Sequence, residues 1–204
     1  MKPANRPGGC CSLNSSVPSS AIIGLPPPLL PLHLLWINLV TDGIPALALV
    51  TDRTGESTMK RPPRPASEPI LGRRDWRTFA LTGALQALCT LAVYVWALEA
   101  RGLEEARNLA FSVLVFGELL RAFSARDPDR SFWEVGLFSN LRLFLIVVIS
   151  MLVQMGIHHI PATQALFGIG ALSLADCVLS VLVGFVPFVV IELTKLLNRK
   201  FRSE

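Results

Sequence analysis

The stretch LLWINLVTDGIPALALV, Leu34–Val50, has the length and apolarity of a membrane-spanning helix, yet polar residues interrupt its middle. A helical span needs about 20 predominantly apolar residues. Asn38, Thr41 and Asp42 stand at the centre of this run and are followed by a glycine and a proline. A carboxylate at membrane depth is energetically costly and is by default a candidate functional site.

The rest of the chain is equally apolar. Of its 204 residues, 51% are hydrophobic and 17% are charged, and the mean hydropathy is +0.51, which is too apolar for an ordinary soluble domain. In hydrocarbon such segments must be helices, because every backbone group needs a partner within its own segment. The sequence therefore predicts an all-α polytopic membrane bundle of about five transmembrane helices. The predicted spans lie near residues 29–50, 79–98, 106–123, 143–160 and 174–197.

Basic residues are concentrated in three of the segments outside the spans. Residues 51–78 contain seven Lys and Arg, residues 121–142 contain four, and the tail from residue 195 contains four. Short loops rich in Lys and Arg are typically cytoplasmic. The pattern predicts a cytoplasmic C-terminus. We expect an integral membrane protein, located in the plasma (inner) membrane. The pattern also explains the net charge of +4 as membrane topology, so no nucleic acid partner is expected.

The polar centre of the first span carries oxygen ligands suited to a hard cation. Asn38, Thr41 and Asp42 have the spacing i, i+3 and i+4, which places them on one face of an α-helix. Pro45 has no N–H to bond the carbonyl of Thr41, and Gly43 eases local unwinding. The alternative is a surface turn at TDGIP, but this would leave two pieces too short to cross a bilayer.

Other polar residues in the apolar segments have structural interpretations. Ser173 and Asp176 have capping-box spacing ahead of the last span, so Asp176 is predicted to serve a helix start and not transport. Gln86 and Gln154 are predicted to make hydrogen bonds or packing contacts between helices.

Several motifs resemble one family. PLLPLHLLWINLVTDGIPALAL, residues 28–49, resembles the sixth membrane helix of P-type cation-transporting ATPases, especially the calcium pumps. MKRPPRPASEPIL resembles the cytoplasmic loop that follows this helix, and FSVLVFGELLRAFSAR resembles the eighth helix. The resemblance covers residues 21–204, which are interpreted as a cation-transporting P-type ATPase C-terminal membrane domain, helices six to ten. Residues 1–20 are predicted to be a disordered leader without family resemblance.

The resemblance implies a metal site and its ligands. In these pumps the matching asparagine, threonine and aspartate bind the transported ion, which indicates Asn38, Thr41 and Asp42 and favours calcium. In two-ion calcium pumps a glutamate of the eighth helix contributes, and Glu118 is the aligned residue. The alternative for Glu118 is an ion pair with Arg121, three residues on. The remaining ligands would come from helices that precede the resembling region.

The resemblance also implies that catalysis lies elsewhere. These pumps phosphorylate an aspartate in a large cytoplasmic domain, and ATP and Mg²⁺ are expected to act only through such domains. DRTGE, Asp52–Glu56, imitates the phosphorylation motif but directly follows a predicted span and leaves no room for an independent domain. We therefore expect no catalytic residue and no ATP hydrolysis by this chain alone.

The leading functional interpretation is the membrane-embedded ion-binding portion of an ATP-driven cation pump. Its expected partners are the lipid bilayer and the N-terminal, catalytic part of the pump. A split pump, whose other polypeptide supplies the catalytic domains, is one alternative. A non-catalytic membrane protein that binds or regulates a full pump is another, and it predicts that the polar centre of the first span can be replaced without loss of function.

Overall fold

A computed structural model describes residues 26–50, 72–126, 132–136 and 140–200. The predictions for the leader at residues 1–20 and for Asp52 lie outside these residues. The described residues form helices and contain no strand, which confirms the all-α prediction. The helices are α1 (Pro31–Ile37), a π-helix (Asn38–Gly43), α2 (Ile44–Val50), α3 (Arg73–Arg101), α4 (Leu103–Ser124), α5 (Phe132–Val135), α6 (Leu141–Ile157), α7 (Pro161–Phe167) and α8 (Leu174–Lys200).

The first three of these helices are continuous and together form the first span, Pro31–Val50. Gly102 separates α3 from α4 and has a φ of +95°, a conformation that side-chain-bearing L-residues rarely adopt. This one-residue connection makes α3 and α4 antiparallel neighbours. We call the end of the bundle that contains this connection the Gly102 end. We call the opposite end, where α4 finishes, the Ser124 end.

The first span and α8 both begin at the Gly102 end. The hydroxyl of Tyr94, near the end of α3, donates to the carbonyl of Pro26 at 2.7 Å. Arg101, the last residue of α3, pairs with Asp176 in the first turn of α8 at 2.6 Å. The chain therefore enters the first span and α8 on the side where α3 reverses into α4.

Two buried histidines fix the connection between α6 and α7, which meet at 88°. His158 Nδ1 lies 3.1 Å from the carbonyl of Gly170, and its Nε2 lies 3.1 Å from the hydroxyl of Ser112 on α4. His33 Nε2, on α1, donates to the carbonyl of Phe167 at 2.9 Å. These contacts join the end of α6 to α4, and α7 to the start of α1. Helix α6 therefore runs towards the Gly102 end. Successive long helices of the bundle thus alternate in direction.

Helix α4 lies at the centre of the bundle, with α3 and α8 packed against it. Gly117 and Gly184 allow the closest approach, because a Cβ on Gly184 would lie 2.8 Å from the Gly117 nitrogen. Gln86 fills the other side of Gly117 and donates to the carbonyl of Val113 at 3.4 Å. The expected interhelical role of Gln86 is confirmed, and the backbone of α4 is held tightly at this level.

Within the described ranges, three helical stretches are long and apolar enough to cross a membrane: Pro31–Val50, Trp76–Arg101 and Leu174–Leu196. The bent pair of α6 and α7 makes a fourth if it counts as one span. Helix α4 coincides with the predicted span at 106–123 but carries charged residues near both ends, which its burial at the bundle centre accommodates. The predicted span at 143–160 is interrupted because α6 ends at Ile157 and a proline begins α7.

Ser173 caps α8 as the sequence predicted. Its hydroxyl oxygen accepts the Asp176 N–H at 3.2 Å and the hydroxyl donates to the Asp176 carboxylate at 2.7 Å. Asp176 thus serves the helix start and also binds Arg101. We expect Ser173→Ala to lower the free energy of unfolding by about 1 kcal/mol, because the cap is lost.

Thermal unfolding of the purified protein in detergent, followed by circular dichroism, measures this change. Ser180→Ala is the control, because the Ser180 hydroxyl donates only to a carbonyl one turn earlier in the same helix. Equal destabilisation by both variants would contradict the capping role of Ser173.

Candidate ion site

The polar centre of the first span is a π-helix and not an unwound segment. The N–H of Ile44 donates to the carbonyl of Leu39, five residues earlier, where an α-helix would direct it to Val40. Pro45 has no N–H to offer the carbonyl of Thr41. The carbonyls of Val40 and Thr41 therefore lose their α-helical donors. The sequence predicted that the Thr41 carbonyl would lose its α-helical N–H donor. The π-helix shows the same loss at the Val40 carbonyl.

The three predicted ligands of this span differ in exposure. Thr41 is 5% exposed, and its hydroxyl donates to the Ile37 carbonyl at 2.7 Å. Asp42 is half-buried and Asn38 is exposed. The prediction that all three share one face assumed α-helical spacing, which the π-helix replaces. Thr41 therefore faces the bundle, while Asn38 lies on the outer surface of the described part of the chain.

Glu118 lies on α4, which contacts the π-helix. Its side chain is buried and forms an ion pair with Arg121, three residues on. The structure thus packs α4, which carries Glu118, against the π-helix, which carries Asp42. The ion pair that the sequence offered as an alternative for Glu118 is present.

The ligand set is incomplete for calcium, which takes six to eight oxygens. Among the described residues, no three His, Cys, Asp or Glu side chains come together in an arrangement that could hold a metal ion. The available donors are the oxygens of Asn38, Thr41 and Asp42 and the backbone carbonyls of the π-helix. A cavity of about 510 Å³ lies elsewhere, at the opposite end of α4, beside Arg101 and Asp176.

A second buried carboxylate, Glu192 on α8, was missed in the sequence. It accepts hydrogen bonds from the Ser124 hydroxyl at 2.6 Å and from the Phe132 N–H at 2.6 Å, and Lys195 approaches it at 3.0 Å. The i, i+3 spacing of Glu192 and Lys195 was visible in the sequence. Its partners on α4 and α5 come from distant parts of the chain. Glu192 ties three helices together at the Ser124 end and is separate from the candidate ion site.

Trp36 and Gln154 form a polar contact between the first span and α6. Trp36 Nε1 donates to Gln154 Oε1 at 2.8 Å. This confirms the interhelical role predicted for Gln154 and fixes the first span against α6 on the Gly102 side of the π-helix.

Comparisons with known proteins match nearly the whole described region. A family model described as "Cation transporting ATPase, C-terminus" matches residues 26–197. The calcium-transporting ATPase 1 of Bacillus cereus is 32% identical over 196 residues, which cover 87% of this chain and 22% of that protein.

Two eukaryotic proteins are similarly related. Calcium-transporting ATPase 1 of Saccharomyces cerevisiae is 32% identical over 192 residues, covering 93% of this chain and 20% of that protein. Calcium-transporting ATPase type 2C member 2 of Mus musculus is 31% identical over 185 residues, which cover 89% of this chain and 20% of that protein. The chain thus spans about a fifth of the length of these relatives.

Proposed function

The chain belongs to the cation-transporting P-type ATPase family, whose C-terminal membrane region it matches, and from this premise we propose that it forms the membrane-embedded ion-binding portion of a calcium pump. One observation carries the proposal. A carboxylate, Asp42, lies beside Thr41 in a π-helical turn of a membrane span, where two carbonyls have lost their α-helical donors. Oxygen donors of this kind bind hard cations such as calcium.

The proposed ligands are Asn38, Thr41 and Asp42, with Asp42 supplying the charge. The exposed position of Asn38 supports the idea that further helices complete the site. Its amide lies on the outer surface of a membrane span, and hydrocarbon offers it no hydrogen-bond partner. We propose that the N-terminal, catalytic part of a pump packs against this face and contributes the remaining oxygens.

The same proposal assigns ATP hydrolysis to that partner and not to this chain. It is supported by the sequence, in which the only likeness to a phosphorylation motif is DRTGE at Asp52–Glu56. ATP and Mg²⁺ would act through the partner's domains. We also propose an integral protein of the plasma (inner) membrane. The distribution of Lys and Arg supports a cytoplasmic C-terminus.

Calcium binding tests the proposal directly. The purified chain in lipid nanodiscs is equilibrated with radioactive calcium, and bound calcium is counted. We expect weak binding, with a Kd on the order of 1 mM, because much of the coordination shell is absent. Asp42→Asn should weaken it by about tenfold or more, since the neutral amide removes the charge that attracts the ion.

Asp176→Asn is the matched control, because Asp176 is also a carboxylate in a membrane helix but caps α8 and pairs with Arg101. It should bind calcium like the unmodified chain. If the Asp42→Asn variant bound calcium as tightly as the unmodified chain, the result would contradict the proposed site. Such a result would favour the alternative of a non-catalytic protein that reuses these helices.

A further inference from the structure

Two neighbouring spaces between α3 and α8 are separate from the candidate ion site. One is the cavity of about 510 Å³ at the Gly102 end, whose lining includes the charged residues Arg101, Glu105 and Asp176. The other is an apolar groove of about 250 Å³, lined by Ala92, Val93, Trp96 and Leu179. The volume of the cavity lies in the range of small-ligand sites. We call the two spaces together the α3–α8 cleft.

The two spaces share one face of each helix. On α3, Trp96 of the groove precedes Ala100 of the cavity by four residues, and on α8, Asp176 of the cavity precedes Leu179 of the groove by three. Residues at these spacings are neighbours on a helix surface. The Arg101 guanidinium also lies over the Trp96 ring, 5.2 Å from its centroid. The cleft is therefore polar at the start of α8 and apolar further along the same face.

The length of the cleft matches one leaflet of a bilayer. Ala92 and Arg101 are nine residues apart on α3, which corresponds to about 14 Å along the helix axis. One leaflet contributes about 15 Å of hydrocarbon. Ala92 and Trp96 are exposed on a membrane-spanning helix, and tryptophan is enriched where hydrocarbon meets the headgroups. These dimensions fit a phospholipid with an acyl chain along the groove and its headgroup in the cavity.

The charges of the cavity favour a headgroup that carries both signs. Arg101 Nη1 lies 2.6 Å from Asp176 Oδ1 and 3.8 Å from Glu105 Oε2. Both contacts use one nitrogen, and the other N–H groups of a guanidinium are suited to a phosphate. Two carboxylates beside one guanidinium leave a net negative charge, which attracts a cationic group. Glu105 is the more accessible carboxylate, since 55% of its side chain is exposed against 14% for Asp176.

We propose that the α3–α8 cleft binds one phospholipid with a phosphoethanolamine headgroup, whose phosphate binds Arg101 and whose ammonium binds Glu105. A primary ammonium donates hydrogen bonds to a carboxylate, whereas the quaternary ammonium of phosphocholine has no N–H. A phosphoglycerol headgroup has no cation to offer the two carboxylates. The acyl chain gains little by moving from the bilayer into the groove, because lipid tails are equally apolar. The headgroup therefore determines the preference between lipids.

Native mass spectrometry of the purified full chain in detergent counts bound lipids and tests the headgroup. Lipids with identical acyl chains and phosphoethanolamine, phosphocholine or phosphoglycerol headgroups are added in turn. We expect one phosphoethanolamine lipid to bind about tenfold more tightly than either of the others, because a hydrogen bond to a charged group contributes about this factor. Glu105→Gln should bring the phosphoethanolamine and phosphocholine lipids to equal affinity. Glu104→Gln is the matched control, since Glu104 lies in the same turn of α4 but is not among the described residues that line the cavity.

A second pair of variants tests the groove. Ala92→Trp fills the groove with a large side chain and should weaken binding of the phosphoethanolamine lipid by about tenfold, because the acyl chain is excluded. Ala84→Trp places the same side chain at another exposed position of α3, outside the groove, and should leave binding unchanged. Both positions face away from the bundle, so both variants should fold, which circular dichroism checks.

Each outcome supports or overturns the proposal. A phosphoethanolamine preference that Glu105→Gln and Ala92→Trp remove, and that both controls keep, supports it. Equal binding of the three headgroups overturns it and assigns the cleft to ordinary bilayer lipid or to a membrane helix of another protein. A preference that either Glu105→Gln or Ala92→Trp leaves unchanged places the lipid elsewhere and also overturns it. These measurements do not involve calcium, so failure of the proposed ion site would not alter them.

Discussion

Gly184→Val is expected to disrupt the packing of α8 against α4 and to lower the free energy of unfolding by about 3 kcal/mol or more. A Cβ at this position would lie 2.8 Å from the Gly117 nitrogen and 3.3 Å from the Phe116 carbonyl carbon. These are backbone atoms of the central helix, so they cannot rotate away as a flexible side chain would. Thermal unfolding in detergent micelles, followed by circular dichroism, measures the loss.

Gly156→Val provides the matched control, because a Cβ on Gly156 in α6 would meet nothing within 4 Å. We expect this variant to unfold within about 0.5 kcal/mol of the unmodified protein, as most substitutions away from tight contacts do. If the Gly184→Val variant were as stable as the Gly156→Val variant, the result would contradict the close approach of α4 and α8 at Gly117 and Gly184.

Glu192→Ala is expected to cost about 3–5 kcal/mol of stability, because it removes the buried carboxylate that pairs with the Lys195 ammonium and leaves that cation with neutral acceptors such as the Ser124 carbonyl, at 2.7 Å. The Lys195 side chain is 12% exposed and contacts Glu192 Oε1 at 3.0 Å. The same substitution removes the acceptor for the Ser124 hydroxyl and for the Phe132 N–H. The same unfolding measurement applies, and proteolysis of the folded protein near Phe132 should become faster, because α5 loses this hydrogen bond and keeps only its packing contacts such as that of Phe132 with Phe188.

Glu105→Ala is the control for removing a paired carboxylate, since Glu105 lies 3.8 Å from Arg101 with 55% of its side chain exposed. Exposed pairs of this kind contribute about 0–1 kcal/mol. The double variant Glu192→Leu/Lys195→Met should recover part of the loss, because it removes the cation together with its carboxylate. A Glu192→Ala protein as stable as Glu105→Ala would show that the cluster does not hold the three helices together.

Hydrophobicity and residue spacing were sufficient to predict the all-α fold and the polar centre of the first span. The reason is local, since a lipid-facing helix must be apolar over its length and an interruption at Asp42 is visible without tertiary information. The capping role of Ser173 was also predictable, because cap and partner lie three residues apart. Both features depend on neighbours in the sequence.

The particular partners of residues that bond across long stretches of the chain were not predicted. His33 bonds the Phe167 carbonyl, and Glu192 bonds the Phe132 N–H, across long separations in the chain. The break between α6 and α7 was also missed, because residues 143–160 are apolar throughout and only Pro161 marks the new helix.

The π-helix has a consequence for the angular phase of the first span. Its inward side chains His33, Ile37, Thr41 and Pro45 recur every four residues. In a regular α-helix, at about 100° per residue, each such step drifts by about 40°, so the stripe would wind away from the bundle. The wider turn at Asn38–Gly43 takes up this drift. As a result, the same face of the first span packs against the bundle from His33 to Pro45. The candidate ion site therefore lies in the turn that restores the angular alignment of this face.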